Sequence, residues 1–186
     1  MIVILSGVSG AGKDTIKRIL MRKDGRIKTL PSYTTRDKRI NEVEGENYYY
    51  VSKERFKEMI DNNEFYEYSV HHGNYYGTNK KLLNERIKNN IVLKDIDVNG
   101  TEDLLKIFRG TEIKIISIFL NISKQEMLRR LENRDDKLKQ EEIELRMNRY
   151  DYEMNHIGIY DYVIKNYDAG KTSNIILDII KREQEQ

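Results

Sequence analysis

The feature that most constrains this chain is a glycine-rich segment near its start, with the sequence GVSGAGKDT at residues 7–15. It follows a short apolar run at residues 2–5 and precedes a stretch with the apolar spacing of a helix at residues 16–21. Two glycines separated by four residues, with a lysine directly after the second, are typical of a loop whose backbone N–H groups turn toward one anion. Lys13 can reach the terminal phosphates of a nucleotide, and the helix N-terminus adds positive potential. The pattern predicts a strand, a phosphate-binding loop and a helix.

The position after Lys13 departs from the usual form of such loops. Asp14 occupies the place where most of them have a Ser or Thr that binds Mg²⁺, and Thr15 comes next. We expect Thr15 or Asp14 to hold the metal, directly or through water. An additional anion beside a triphosphate would need Mg²⁺ to offset its charge.

Composition limits the classes of function. The chain has 186 residues, which is the size of one domain with a proper core. Its 33 basic and 31 acidic residues give a net charge of only +2, so any anion site must be a local cluster, and neither nucleic acid nor a membrane is an expected partner. The absence of cysteine excludes disulfides, thiolate metal sites and a thiol nucleophile. Without a long apolar stretch or a signal sequence, we expect a soluble cytoplasmic protein.

The segment at residues 32–46 is polar, follows the single proline of the chain, and carries Arg36 and Arg39 three positions apart. It is either an exposed charged loop or a clamp in which guanidinium groups grip a second phosphate. The phosphate loop that precedes it favours the clamp.

The next residues indicate a small α+β insertion. They suggest a strand at 47–51, a helix over 53–61 that Ser52 caps, and a hairpin of residues 64–71 with 74–77. Glu67 lies within this hairpin among tyrosines. It is either a solvated strand residue or an acceptor for the N–H groups of a flat base.

Two acids follow at alternate positions of an apolar run at residues 91–98, which we interpret as a strand. Period two places Asp95 and Asp97 on one face near the carboxyl end of that strand, where ligands of open parallel sheets lie. They are candidates for contacts with Mg²⁺-bound water and with substrate. The alternative is an acid pair on an edge strand facing water.

Two unusually polar helices are expected near residues 123–134 and 141–153. They are either surface helices joined by ion pairs or a mobile lid that folds its arginines over phosphates. A final strand at 161–166 and a helix centred on 175–180 complete an alternation of strands and helices. This order, with a phosphate loop after the first strand, predicts an α/β fold with a parallel sheet and right-handed crossovers.

Six ordered motifs together resemble those of guanylate kinases, over essentially the whole chain: GVSGAGKDT, SYTTRDKRINEVEGENYYYVS, FYEY with HGNYYGT, DIDVNG, RRLENR with Arg146, and DYVIKN. The resemblance implies a single domain with a P-loop NTPase-type parallel sheet core at 1–32, 91–124 and 156–186, an α+β GMP-binding insertion at 33–90 and a helical lid at 125–155. It also implies transfer of a phosphoryl group from ATP to GMP, and to dGMP, with Mg²⁺.

The resemblance assigns roles to individual positions. The ATP-binding residues are Gly7, Val8, Ser9, Gly10, Ala11, Gly12, Lys13, Asp14, Thr15 and Asn166. The substrate-binding residues are Ser32, Arg36, Arg39, Tyr48, Glu67, Tyr76, Thr78 and Asp97. The catalytic residues are Lys13, Arg36, Arg130, Arg134 and Arg146, and the metal candidates are Thr15, Asp14 and Asp95.

Asp14, Asn41 and Val70 depart from the family pattern. Two other functions remain open from the sequence: a guanylate-kinase-like binding module without catalysis, and a kinase of another phosphorylated small molecule. Glu67, Ser32 and Thr78 together favour a guanine nucleotide over other acceptors. The oligomeric state, monomer or homodimer, is left open.

Overall fold

The computed structural model describes residues 1–40, 42–71, 73–133 and 139–185. Along them lie β1 Ile2–Gly7, α1 Lys13–Lys23, β2 Ile27–Thr29, β3 Ser32–Thr34, β4 Tyr48–Tyr50, α2 Lys53–Asp61, β5 Phe65–His71, β6 Asn74–Asn79, α3 Lys80–Ile87, β7 Ile91–Asp95, α4 Val98–Phe108, β8 Ile115–Asn121, α5 Lys124–Glu132, α6 Gln140–Asn155, a 3₁₀ turn Ile157–Ile159, β9 Tyr162–Lys165 and α7 Ala169–Glu185. The chain divides into two compact units, residues 1–4 with 26–115 and residues 5–25 with 116–186. We call them the first and the second unit.

The larger sheet has the strand order β2-β7-β1-β8-β9. In the first unit β2 pairs in parallel with β7, with Ile27 opposite Ile91, and in the second unit β8 pairs in parallel with β9. The predicted α/β fold with a parallel sheet is confirmed. Parallel neighbours require crossover connections, which the helices between the strands supply.

A second, four-stranded sheet lies in the first unit, in the order β4-β3-β6-β5. The hairpin that the sequence predicts is present as antiparallel β5 and β6. Strand β6 also pairs antiparallel with β3, and β3 pairs in parallel with β4. The parallel pairing of β3 with β4 was not predicted, because it joins residues 32–34 and 48–50 across an irregular segment.

Each unit has its own apolar core. The main core of the first unit joins β1, β7, α3 and α4 through Ile2, Ile4, Leu30, Leu83, Val92, Leu104, Leu105 and Phe108. The small sheet packs on α2 through Phe56, Met59 and Phe65, and the two phenylalanine rings stack at 4.5 Å. In the second unit α1 packs against α7, and both bury apolar side chains, among them Ile16, Leu20, Ile176 and Ile180. Burial of this apolar surface stabilises both units.

Side-chain caps set several helix ends. The Ser52 hydroxyl accepts a hydrogen bond from the Arg55 backbone N–H at 3.1 Å, so α2 begins where the sequence predicts. The Ser123 hydroxyl accepts from the Glu126 backbone N–H at 3.2 Å and starts α5 in the same way.

The prediction for Asp97 was wrong in one respect. Strand β7 ends at Asp95, and the Asp97 carboxylate accepts a hydrogen bond from the Gly100 N–H at 2.9 Å. Asp97 is therefore the N-cap of α4, and the two acids do not share a strand face. The alternative of an edge strand is also wrong, because β7 lies between β2 and β1.

The two polar helices of the expected lid, α5 and α6, are present. Within the described residues of both, few apolar side chains are buried, namely Met127, Leu131 and Ile143. Arg134 lies outside the described residues. Among the helices of the described part of the chain, none combines the length and apolarity required to cross a membrane.

Candidate active site

The phosphate loop joins β1 to α1 in the second unit, and its glycines are required by the backbone. Gly7 has φ 149°, and a Cβ built on it would lie 2.4 Å from the Leu120 carbonyl oxygen. Gly12 precedes α1 with φ 89°, in the left-handed region, and a Cβ there would lie 2.8 Å from Asn166 Nδ2. L-residues with a side chain rarely adopt these angles. Gly10 lies between Gly7 and Gly12 with φ 72°, so all three glycines of the loop have backbone angles that favour glycine.

Lys13 is the first residue of α1 and folds back over the loop. Its Nζ donates a hydrogen bond to the Gly7 carbonyl oxygen at 2.8 Å. This contact holds an ammonium group at the loop whose N–H groups the sequence predicts to bind phosphate.

The metal candidates at the start of α1 differ in their surroundings. The Asp14 carboxylate is 87% exposed and lies 2.7 Å from Lys17 Nζ. Thr15 is half-buried in the same turn. Asp95 ends β7 in the first unit. Within residues 1–40, 42–71, 73–133 and 139–185, no three acids or histidines cluster as a metal site would require, and the metal assignments stay predictions.

Two arginines of the lid helices reach the phosphate loop. Arg130 donates from Nη1 to the Gly10 carbonyl at 3.2 Å and from Nη2 to the Asn166 carbonyl at 2.9 Å. Arg146 donates from Nη1 to the Ser9 hydroxyl at 2.9 Å. The second unit thus brings two predicted catalytic arginines together with the loop.

Glu126 orients Arg130 from one turn earlier on α5. Its carboxylate accepts from Arg130 Nε at 2.7 Å and from both Nε and Nη2 of Arg129 at 2.7 Å. The hydrogen bonds from Arg129 and Arg130 lower the pKa of Glu126 to about 2. Glu126 was not predicted to be a site residue, although its i,i+4 spacing to Arg130 is a usable signal.

Asn166 follows β9 and supports the loop from the other side. Its Nδ2 donates to the Ala11 carbonyl oxygen at 2.6 Å. Its Oδ1 is buried and accepts no hydrogen bond from any residue that the structure describes. A buried acceptor without a partner is rare in folded proteins and is suited to a ligand N–H.

The first unit contains the predicted second anion site. The Arg36 guanidinium lies 5.3 Å from the centre of the Tyr48 ring, whose edge faces Tyr76 at 5.9 Å between ring centres. Arg36 donates to Glu42 Oε1 at 2.6 Å and to the Asp37 carbonyl at 2.7 Å. Three predicted phosphate ligands, Arg36, Tyr48 and Tyr76, are therefore neighbours. The Arg39 side chain is exposed, and only its backbone N–H joins this group, through Glu42.

Glu42 organises this cluster and was not recognised as functional from the sequence. Its two carboxylate oxygens accept from Arg36, from the Arg39 backbone N–H at 2.9 Å and from the Tyr50 hydroxyl at 2.8 Å. Burial raises the pKa of Glu42, but the hydrogen bonds, led by that from Arg36, outweigh it and leave the pKa lowered. Burial and the Glu42 hydrogen bond raise the pKa of Tyr50 to about 12. A carboxylate that follows Arg36 and Arg39 at the same spacing of three positions, in one loop, is the signal that could have identified it.

A buried polar pair lies on the β5–β6 hairpin. Glu67 is opposite Thr78 in the antiparallel register, and the Thr78 hydroxyl donates to the Glu67 carboxylate. Both side chains are buried, so Glu67 is not a solvated strand residue. Burial raises the pKa of Glu67, while the charge of Lys94 and the Thr78 hydrogen bond oppose the rise.

Lys94 is a further buried polar residue of this region and was not predicted to be a site residue. It is only 1% exposed, and its Nζ donates to the Ser32 hydroxyl at 2.5 Å and to the Leu30 carbonyl at 3.3 Å. Ser32, which was predicted to contact the base, thus accepts a hydrogen bond from a buried ammonium whose charge also acts on Glu67. A lysine inside an apolar strand is an evident sequence signal.

Comparison with known proteins decides the family. The sequence model described as guanylate kinase matches residues 1–183. The chain belongs to the guanylate kinase family. It is 39% identical to a guanylate kinase of Prochlorococcus marinus subsp. pastoris, with 97% of this chain and 96% of the relative covered. It is also 39% identical to a guanylate kinase of Rickettsia felis, with coverages of 100% and 95%. The family predicted from the six motifs is confirmed.

Solved structures agree with this assignment. The crystal structure of guanylate kinase from Anaplasma phagocytophilum is similar with a TM-score of 0.80 and 30% identity, covering 100% of this chain and 87% of that one. Shikimate kinase from Bacteroides thetaiotaomicron is similar with a TM-score of 0.55 and 13% identity, covering 97% and 98%, which shows a shared fold alone. Guanylate kinases phosphorylate GMP with ATP.

Proposed function

We propose that this chain carries out the reaction of its family, transfer of the terminal phosphoryl group of ATP to GMP, and also to dGMP, giving ADP and the nucleoside diphosphate. One observation carries this proposal: the same chain has a lysine-bearing phosphate loop and a buried carboxylate–hydroxyl pair suited to guanine. The two features lie in different units, so each substrate has its own set of residues.

Guanine recognition follows from the pattern of donors in the pocket. Guanine presents N1–H and an exocyclic amino group side by side, and a carboxylate such as Glu67 accepts from both. Its O6 accepts from hydroxyls, a role for Ser32, while Thr78 holds Glu67 and Asp97 completes the site. Adenine lacks this pattern and would leave buried polar groups unpaired. Sites of this kind discriminate by about 10⁴-fold.

The phosphate of GMP is bound by Arg36, Arg39, Tyr48 and Tyr76. Guanidinium groups pair with phosphate through two parallel N–H bonds, and Glu42 holds Arg36 in place for this contact. Binding at both the base and the phosphate fixes the orientation of the acceptor oxygen.

The transfer itself needs no nucleophilic side chain, since the GMP phosphate oxygen attacks. Lys13, Arg130 and Arg146, with Arg134, stabilise the negative charge that spreads over the transferred group. Magnesium bound with ATP would supply further positive charge at the phosphates, and Thr15 or Asp14 beside the loop would hold it, directly or through water. Asp95, in the first unit, is a separate candidate ligand. The Thr15 hydroxyl suits this role as it stands, whereas Asp14 would first have to leave Lys17.

The adenine of ATP is expected beside Asn166. The buried Oδ1 of this residue has no partner among the described residues and would accept a hydrogen bond from the adenine amino group. This assignment is supported by the position of Asn166 against the phosphate loop.

The proposed organisation is a core at 1–32, 91–124 and 156–186, a GMP-binding insertion at 33–90 and a lid at 125–155. Lid closure would exclude water, which would otherwise hydrolyse ATP. We place the enzyme in the cytoplasm, where ATP and GMP are its partners.

A coupled assay of ADP formation tests the function and the base assignment together. Wild type and Glu67→Gln are offered GMP, dGMP, AMP, CMP and UMP with Mg-ATP. Wild-type turnover should be confined to GMP and dGMP. Glu67→Gln should lower kcat/KM for GMP by about 100-fold, because the substitution replaces an acceptor with a donor that faces the donors of guanine.

Folded wild type that turns over none of these nucleotides would refute the proposed function. An unchanged kcat/KM for GMP in Glu67→Gln would refute the role of Glu67 alone.

A further inference from the structure

Lys94 lies in the first unit and belongs to none of the family motifs described above. It belongs to the buried strand β7, and its side chain is 1% exposed. Lysines are almost never buried to this degree unless they are paired. Its Nζ donates to the Ser32 hydroxyl at 2.5 Å and to the Leu30 carbonyl at 3.3 Å. The Lys94 ammonium group therefore contacts Ser32, a residue assigned to guanine recognition.

The charge of Lys94 also acts on Glu67, which is 6% exposed. The groups that face Glu67 come from three other elements: Lys94 on β7, Thr78 on β6, and Asp97 and Asp103 at and within α4. The two acids destabilise a charged Glu67, and Lys94 stabilises it. Gly100 leaves room for the carboxylate, since a Cβ there would lie 3.1 Å from Glu67 Oε2.

We propose that Lys94 is a positioning residue for guanine recognition, acting as counter-charge to the Glu67 carboxylate and as hydrogen-bond donor to the Ser32 hydroxyl. This inference rests on the proposed function. An ammonium group has donors only, so the Ser32 oxygen must accept from it. The Ser32 proton is then directed to another acceptor, which in this pocket is guanine O6. Adenine presents an amino group at that position and cannot accept.

The counter-charge role predicts a specific pH dependence. GMP needs Glu67 ionised, because both guanine groups that face it are donors. Burial raises the pKa of Glu67, and the charge of Lys94 opposes that rise. Without Lys94 the pKa of Glu67 increases further, so protonation would remove the acceptor at a higher pH than in wild type. The penalty for losing Lys94 must therefore grow as the pH falls.

The test compares Lys94→Met, which keeps the length and removes the charge, with wild type. Lys57→Met is the matched control, since Lys57 is an exposed lysine on α2 of the same unit. KM for GMP and kcat are measured at saturating ATP between about pH 6 and about pH 9. The ratio of variant to wild type cancels the titration of the GMP phosphate itself.

We expect Lys94→Met to raise KM for GMP by about 10-fold at neutral pH, the usual cost of one charge-assisted hydrogen bond. The ratio should increase toward low pH and decrease toward high pH, while KM for ATP stays unchanged. The preference for GMP over AMP should fall. Lys57→Met should match wild type throughout.

A KM ratio of one, or a ratio that is the same at every pH, would overturn the counter-charge role. If Lys94→Met does not fold, the pKa of Glu67 is measured by carboxyl NMR in wild type and in Lys94→Arg and Lys94→Gln. The proposal requires a higher pKa of Glu67 in Lys94→Gln than in Lys94→Arg, and equal values would overturn it. Wild type without GMP turnover would instead indicate that the proposed function has failed.

Discussion

At the scale of single residues, the acceptor-phosphate site depends on a carboxylate that touches no phosphate in our proposal. Glu42 accepts from Arg36, from the Arg39 backbone and from Tyr50, and so fixes the shape of the loop that carries both arginines. Arginine without such a partner samples many rotamers, and ordering it on binding costs free energy. Glu42 therefore preorganises the clamp.

Glu42→Gln should raise KM for GMP by about 10-fold, because the amide replaces one acceptor with a donor that faces Arg36. The pKa of Glu42 is lowered in the fold, so its contribution to stability is present above the unfolded pKa and is lost as the pH falls through the folded pKa. At neutral pH, Glu42→Gln should thus unfold at a lower urea concentration than wild type. This difference in urea midpoint should disappear in acid. Glu46→Gln, an exposed neighbour, is the control. A difference in urea midpoint that persists in acid would contradict the stabilising role of ionised Glu42.

At the scale of elements, local signals in the sequence were sufficient for the helices and the phosphate loop. Ser52 and Ser123 cap helices through contacts three residues away, and Gly7 and Gly12 meet backbone requirements of the loop itself. The capping contacts are readable because they join near neighbours in sequence, and the glycines are readable because positive φ angles favour glycine.

What the sequence did not reveal depends on contacts between distant residues. Lys94 contacts Ser32 across 62 positions. The pairing of β3 with β4 crosses an irregular segment, and Asp97 was misplaced because an acid after an apolar run can extend a strand or cap a helix. Only the tertiary fold distinguishes these alternatives.

A prediction at the same scale concerns the lid helices. Arg146 contacts Ser9 of the phosphate loop, whereas Arg149 on the same helix pairs with Glu153 at 3.3 Å. Arg146→Ala should lower kcat by about 100-fold or more, since it removes a donor to the transferred phosphoryl group. KM for GMP should change little. Arg149→Ala is the matched control and should stay within a few-fold of wild type, and equal losses in the two variants would contradict the assignment.

At the scale of the whole molecule, the two substrates are assigned to two units that share strand β1. The second unit has the phosphate loop with Lys13, Arg130 and Arg146, and the first has the Arg36 clamp and the Glu67 pocket. Phosphorylation of GMP, rather than hydrolysis of ATP, requires that the phosphoryl group pass directly to bound GMP. The fate of the transferred phosphoryl group is thus the property that tests the proposed function.

The most direct measurement follows ATP with a radioactive terminal phosphoryl group, incubated with GMP and Mg²⁺. Wild type should transfer the label to GDP in equal amount to the ADP formed, and folded Lys13→Ala should lose most of this transfer. Label released as inorganic phosphate, or no transfer by folded wild type, would contradict the assignment of an ATP:GMP phosphotransferase.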